Sequence, residues 1–119
     1  MVYKAWISEY EILSKNVSIF WLLVVASAAA PNIDWIVIVH HDQQYASTAH
    51  TLLSRANKWK EAYHPLFDQY DVDLVLQAHQ HNYQRTYPIK YNSDTPINPI
   101  ITDKNRSNYA NPEGQILLK

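Results

Sequence analysis

The chain contains no cysteine. That excludes disulfides and thiolate metal sites, so any metal here would be held by histidine, carboxylate, amide or tyrosine. Glycine is almost as scarce: Gly114 is the one glycine in 119 residues, where soluble proteins average about 7%. Phosphate-cradling loops need glycine for close backbone approach, so neither a P-loop nor a dinucleotide-binding fingerprint fits within this chain. Charge of either sign is sparse, at 18% of residues with a net charge of −1. Nothing in that balance attracts nucleic acid or an acidic membrane surface. The longest apolar run, residues 17–30 (VSIFWLLVVASAAA), has 14 residues, short of the roughly 20 that span a bilayer as a helix.

What is present reads as one globular α/β domain. Hydrophobic residues make up 47% of the chain, enough to bury a core, although the length is small for a complete enzyme. Residues 1–16 carry Trp6, Ile7, Tyr10 and Leu13 at spacings of three and four, which predicts a short amphipathic helix. The run 17–30 is open to three readings. It is a buried helix or strand, an insertion, or a targeting segment whose Ala28-Ala29-Ala30 resembles a cleavage site. Pro31-Asn32-Ile33-Asp34 is turn chemistry. Trp35-Ile36-Val37-Ile38-Val39 then predicts a strand buried on both faces.

Residues 48–63 have a helical pattern, with Leu52, Leu53, Ala56, Trp59 and Tyr63 on one side. Pro65 disfavours helical geometry at His64 and predicts a break, followed by a second short helix bearing Leu66, Phe67 and Tyr70. Residues 71–77 predict another strand, and 83–91 a further one placed at an edge by Pro88. The composition then turns to Asn, Asp, Pro, Ser and Thr, so 92–114 reads as a long loop. A last apolar run begins at Gln115. Asn16-Val17-Ser18 and Asn105-Arg106-Ser107 match the glycosylation acceptor pattern.

The run Trp35–Val39, the helix and the run Val72-Asp73-Leu74-Val75-Leu76 make a βαβ unit, whose two strands are parallel. Their carboxyl ends share one edge of the sheet, where ligands of open α/β sheets bind. His40-His41 leaves the first strand there, and His79-Gln80-His81 leaves the second. Four of the six histidines thus arrive at one rim. That pattern predicts a metal or phosphate site, against the plainer alternative of surface or capping histidines. His40 and His41 cannot face the same way, so one of them packs or hydrogen-bonds. His64 reads as structural. His50, near the start of the helix, either overhangs the rim or lies on the surface.

At these residues the chain resembles the calcineurin-like metallophosphoesterase superfamily, and within it the purple acid phosphatases. The matching text is Asp34-Trp35-Ile36-Val37-Ile38-Val39, then His41 with Tyr45, then His50. It resumes with Tyr63-His64-Pro65-Leu66-Phe67 and continues from Tyr70-Asp71 to His79-Gln80-His81-Asn82-Tyr83-Gln84-Arg85-Thr86-Tyr87-Pro88. Asn108-Tyr109 and Asn111-Pro112-Glu113-Gly114 fit the loop before that family's last core strands. The resemblance runs from Asp34 to the C-terminus and implies the C-terminal part of a metallophosphoesterase sandwich. It implies that His41 and His79 ligate one metal, that His81 ligates a second, and that His50 contacts the substrate phosphate and assists the leaving group. Tyr83 and Arg85 match the motif's flanking aromatic and arginine, read as scaffold.

The implied reaction is hydrolysis of a phosphomonoester, with two ions of iron, zinc or manganese clamping the phosphate and activating water. The implied location is outside the cytoplasm. The departures from that family are equally specific. Ala78 stands where the family has glycine, and Gln43 where it has proline. The Gly-Asp and Gly-Asn-His segments that supply its remaining ligands do not occur in this sequence. The expectation is therefore a partial catalytic domain over 1–119 that lacks an N-terminal half and is weak or inactive alone. Joining Asn16 to Pro31 reads smoothly as family sequence, which favours an insertion at 17–30. The alternatives are a metal-binding fragment with one zinc at His41, His79 and His81, one half of a two-chain site, or a structural module.

Overall fold

A computed structural model describes residues 2–6, 29–45, 54–79, 81–109 and 112–119. Four parallel strands form the main sheet in the order β1-β2-β3-β6, with β1 at Val2–Trp6, β2 at Trp35–Val39, β3 at Leu74–Leu76 and β6 at Ile116–Leu118. A second, two-stranded antiparallel sheet pairs β4 (Ile89–Lys90) with β5 (Ile100–Ile101). One helix, α1 (Ser54–Gln69), joins β2 to β3, so the βαβ unit is present as expected.

The β-branched run of β2 alternates sides along the strand, and Ile36 and Ile38 are buried. Ile38 stands opposite Val75, and Val75 opposite Leu117. These three side chains are almost completely buried and form a row across the sheet. Tyr63 and Phe67 of α1 join the same core, together with Tyr45, Val72 and Ile89.

The end of α1 is a Schellman motif. The Val72 amide bonds the Phe67 carbonyl at 3.0 Å and the Asp71 amide bonds that of Asp68 at 3.4 Å. Asp71 takes the left-handed conformation, φ 49°, where most helices place glycine. The third strand consequently begins later than the sequence pattern suggests, because Asp71 and Val72 are used to stop the helix. Asp73 then ties the strand starts together. Its Oδ2 accepts the Ile36 amide at 2.7 Å, its own amide bonds the Ile36 carbonyl, and its carbonyl accepts the Ile116 amide.

Three expectations are corrected. Residues 2–6 form a strand rather than the start of an amphipathic helix, because their backbone pairs in register with β2. The helix runs through Pro65 without a break. His64, the residue that proline disfavours, is fully buried with both ring nitrogens hydrogen-bonded, and Tyr63 and Phe67 anchor the same segment in the core. Tertiary contacts outweigh the local preference. The segment 83–91 is only intermittently paired. Arg85 and Ile89 make isolated bridges to Leu118 and Gln115, while the Thr86 hydroxyl accepts the Leu117 amide and Pro88 has no amide to donate.

The long loop carries β5 and is pinned by Asn92. The Asn92 carboxamide bonds the Asp94 and Thr95 amides, the Thr95 hydroxyl and the Asn98 carbonyl. Most of the run 17–30, and the helix start predicted at 48–53, lie outside the described residues. Among the described residues no helix is long and apolar enough to cross a membrane.

Candidate metal site at the strand ends

Two backbone bonds prolong the pairing of β2 and β3 past their last paired residues. The His40 amide bonds the Leu76 carbonyl, and the Ala78 amide bonds the His41 carbonyl, both at 3.0 Å. They carry the alternation of β2 into the loop. His40 points inward and is 3% exposed; His41 is exposed. Burial pushes the His40 imidazole down to about 4, so it is neutral near pH 7.

His79 adopts a left-handed backbone, φ 75°. Ala78, at the position of the family's glycine, does not. That backbone turn brings the His79 ring onto His41. The His41 Nε2 and His79 Nδ1 atoms lie 3.2 Å apart, with ring planes at 81° and centroids 5.2 Å apart. Zinc–imidazole bonds of about 2.0–2.1 Å in tetrahedral geometry separate two ligand nitrogens by roughly 3.3 Å. The pair therefore fits a shared cation, and in the metal-free chain one N–H between the nitrogens satisfies the same spacing.

Among the described residues no third expected ligand joins this pair. His81 is exposed. Among the described residues no group of three or more histidines and carboxylates is arranged to hold a metal. Asp42, beside His41, is buried. His50 lies outside the described residues. Arg85 donates to the Arg106 carbonyl at 2.9 Å and lies over the Tyr109 ring, so it braces the neighbouring loop.

Behind the rim lies a hydrogen-bonded chain that sequence reasoning did not assemble. The Gln115 carboxamide donates to Asp68 Oδ1 at 2.6 Å, and its Oε1 pairs with His64 Nε2 at 2.7 Å. His64 Nδ1 pairs with the Tyr45 hydroxyl at 2.8 Å, which also lies 3.1 Å from the Pro96 carbonyl. Burial lowers the affinity of His64 for a second proton, opposed by Asp68. Nearer the histidine pair, Gln77 interrupts an otherwise apolar run at the end of β3. Its polar side chain on a buried strand end was the signal available in the sequence.

No family profile matches the chain. An uncharacterised protein of Mycobacterium tuberculosis (strain H37Rv) is 41% identical over 74 residues, covering 59% of this chain and 14% of that protein. Human acid phosphatase type 7 is 32% identical over 91 residues, covering 69% of this chain and 19% of that protein. A purple acid phosphatase from yellow lupin (Lupinus luteus) seeds matches 98% of this chain and 20% of its own with a TM-score of 0.64, at 18% sequence identity. The chain thus spans about a fifth or less of the length of these proteins. In sequence over its matched part and in fold over nearly its whole length, the chain is related to the metallophosphoesterases of the purple acid phosphatase type.

Proposed function

We propose that the chain carries part of the site of a metal-dependent phosphomonoester hydrolase of the acid phosphatase type. The observation that carries this reading is the facing of His41 Nε2 and His79 Nδ1 at 3.2 Å, just past the ends of adjacent parallel strands. It is supported by the relationship to proteins named as acid phosphatases. When bound, an ion of iron, zinc or manganese polarises the phosphate and lowers the pKa of water. His41 and His79 would hold one such ion. By resemblance, His81 would ligate its neighbour, and His50 would bind the substrate phosphate and hand a proton to the leaving oxygen. Secretion to an extracytoplasmic compartment is part of the same reading.

On this reading the chain supplies part of the ligands, and carboxylates from a further N-terminal part of the domain complete them. One observation favours a second reading. Only two nitrogens converge among the described residues, which suits a mononuclear metal-binding chain without turnover, or one half of a two-chain site.

Metal analysis of the purified chain, loaded with zinc and desalted, tests both readings. The expected result is about one tightly held ion per chain, with affinity falling at least about 100-fold in His41→Ala and in His79→Ala. A chain that retains no metal, or two variants that bind as tightly as wild type, would sink the metal reading altogether.

A further inference from the structure

We infer that Gln77 is a positioning residue that sets the spacing of the His41–His79 pair by gripping the loop that carries His41. The inference rests on the reading of that pair as a metal site. Strand pairing between β2 and β3 ends at Val39 and Leu76, and the last backbone bond between their extensions joins Ala78 to His41. Beyond it the two chains diverge, and the Gln77 side chain continues the pairing where the backbone no longer does. Its Oε1 accepts the Gln44 amide at 2.8 Å, and its Nε2 donates to the Tyr45 carbonyl at 3.2 Å. Both bonds are buried, and Gln77 is 7% exposed.

A carboxamide offers one acceptor and one donor side by side, as a peptide group does. Here that combination replaces a missing rung of the sheet. Glutamate would keep the acceptor and lose the donor; methionine has nearly the same shape and offers neither. The consequence for the site is geometric. His41 is held on one side by the Ala78 amide at its own carbonyl and on the other by Gln77 three and four residues further on. Metal ligands must keep their places to within a few tenths of an ångström. A loop freed on one side would widen the 3.2 Å separation beyond what one ion spans.

The test compares cobalt(II) binding, read from its visible ligand-field bands, in wild type, Gln77→Met, Gln77→Glu and Asp73→Ala. The last variant removes a partly buried bond between the same two strands at their opposite ends, so it controls for general loss of stability. Gln77→Met is expected to bind cobalt 10- to 100-fold more weakly with altered bands, and Gln77→Glu to fall between it and wild type. Asp73→Ala is expected to keep the wild-type affinity and spectrum.

In the metal-free protein, ring-proton nuclear Overhauser contacts between His41 and His79 should be present in wild type and Asp73→Ala and lost in Gln77→Met. Wild-type affinity, spectrum and ring contacts in Gln77→Met would overturn the inference, as would equal weakening by Asp73→Ala. If wild type binds no cobalt while the ring contacts still depend on Gln77, the positioning role stands and the metal reading falls.

Discussion

Adjacent histidines here do opposite work. His41 is exposed and meets His79, whereas His40 is buried, and burial holds it down to about 4. In the unfolded chain a histidine titrates near about 6.5. Below that value the unfolded state binds a proton that the folded state refuses, so stability is fully present above the unfolded pKa and is lost as pH falls toward about 4. The loss from His40 should be on the order of 3 kcal/mol. His64, also lowered by burial, acts with the same sign. Urea unfolding of the metal-free chain at pH 7.5 and pH 4.5 measures the difference; a flat profile would contradict it.

The protons around His64 follow from its partners. Because Gln115 donates to Asp68, its Oε1 must accept from His64 Nε2–H, and His64 Nδ1 is then the acceptor for the Tyr45 hydroxyl. A structural role for His64 was readable from its place in a helix before Pro65. Its partners were not, since Tyr45 and Gln115 are 19 and 51 residues away in sequence.

At the scale of elements, β2 and β3 were legible because each is a short apolar run of β-branched and leucine residues bounded by turn chemistry. The end of α1 was harder to read. A chain with one glycine must stop its helix on something else, and Asp71 does so at a left-handed φ of 49°. A non-glycine residue there costs on the order of 1 kcal/mol. Asp71→Gly is therefore expected to raise stability by about 0.5–1 kcal/mol, seen as a higher urea midpoint at unchanged slope. Pro65 misled for the converse reason. Its local penalty is real, but the burial of Tyr63, His64 and Phe67 around it outweighs the loss. Gly114 needs its own freedom, with φ 84° and its Cα against the Ile89 carbonyl, where a side chain would collide.

For the whole molecule, the sequence pattern pointed to a parallel α/β sheet with histidines gathered at one rim. It missed β1, whose short mixed sequence gives no period-two signal and whose strand character depends on pairing with β2, about 33 positions later. It also placed more ligands at the rim than the described residues bring together: two nitrogens face each other, and no third described ligand completes the group. Phosphoryl transfer by a pair of ions needs both held at once. We therefore expect this chain, supplied with zinc, iron or manganese, to hydrolyse p-nitrophenyl phosphate at or near the buffer rate. Turnover that is metal-dependent and lost in His79→Ala would show that residues outside the described set complete the ligands.

The antiparallel pairing of residues 84–89 along β6 has a consequence for how such a sheet is built up. With Gln84, Thr86 and Ile89 bonded to Lys119, Leu117 and Gln115, that flank is sealed. Within the four-stranded sheet, and among the described residues, β1 is the strand that keeps an unshared margin. A strand added to this sheet from elsewhere would therefore join beyond β1 and leave the histidine rim of β2 and β3 further toward the interior.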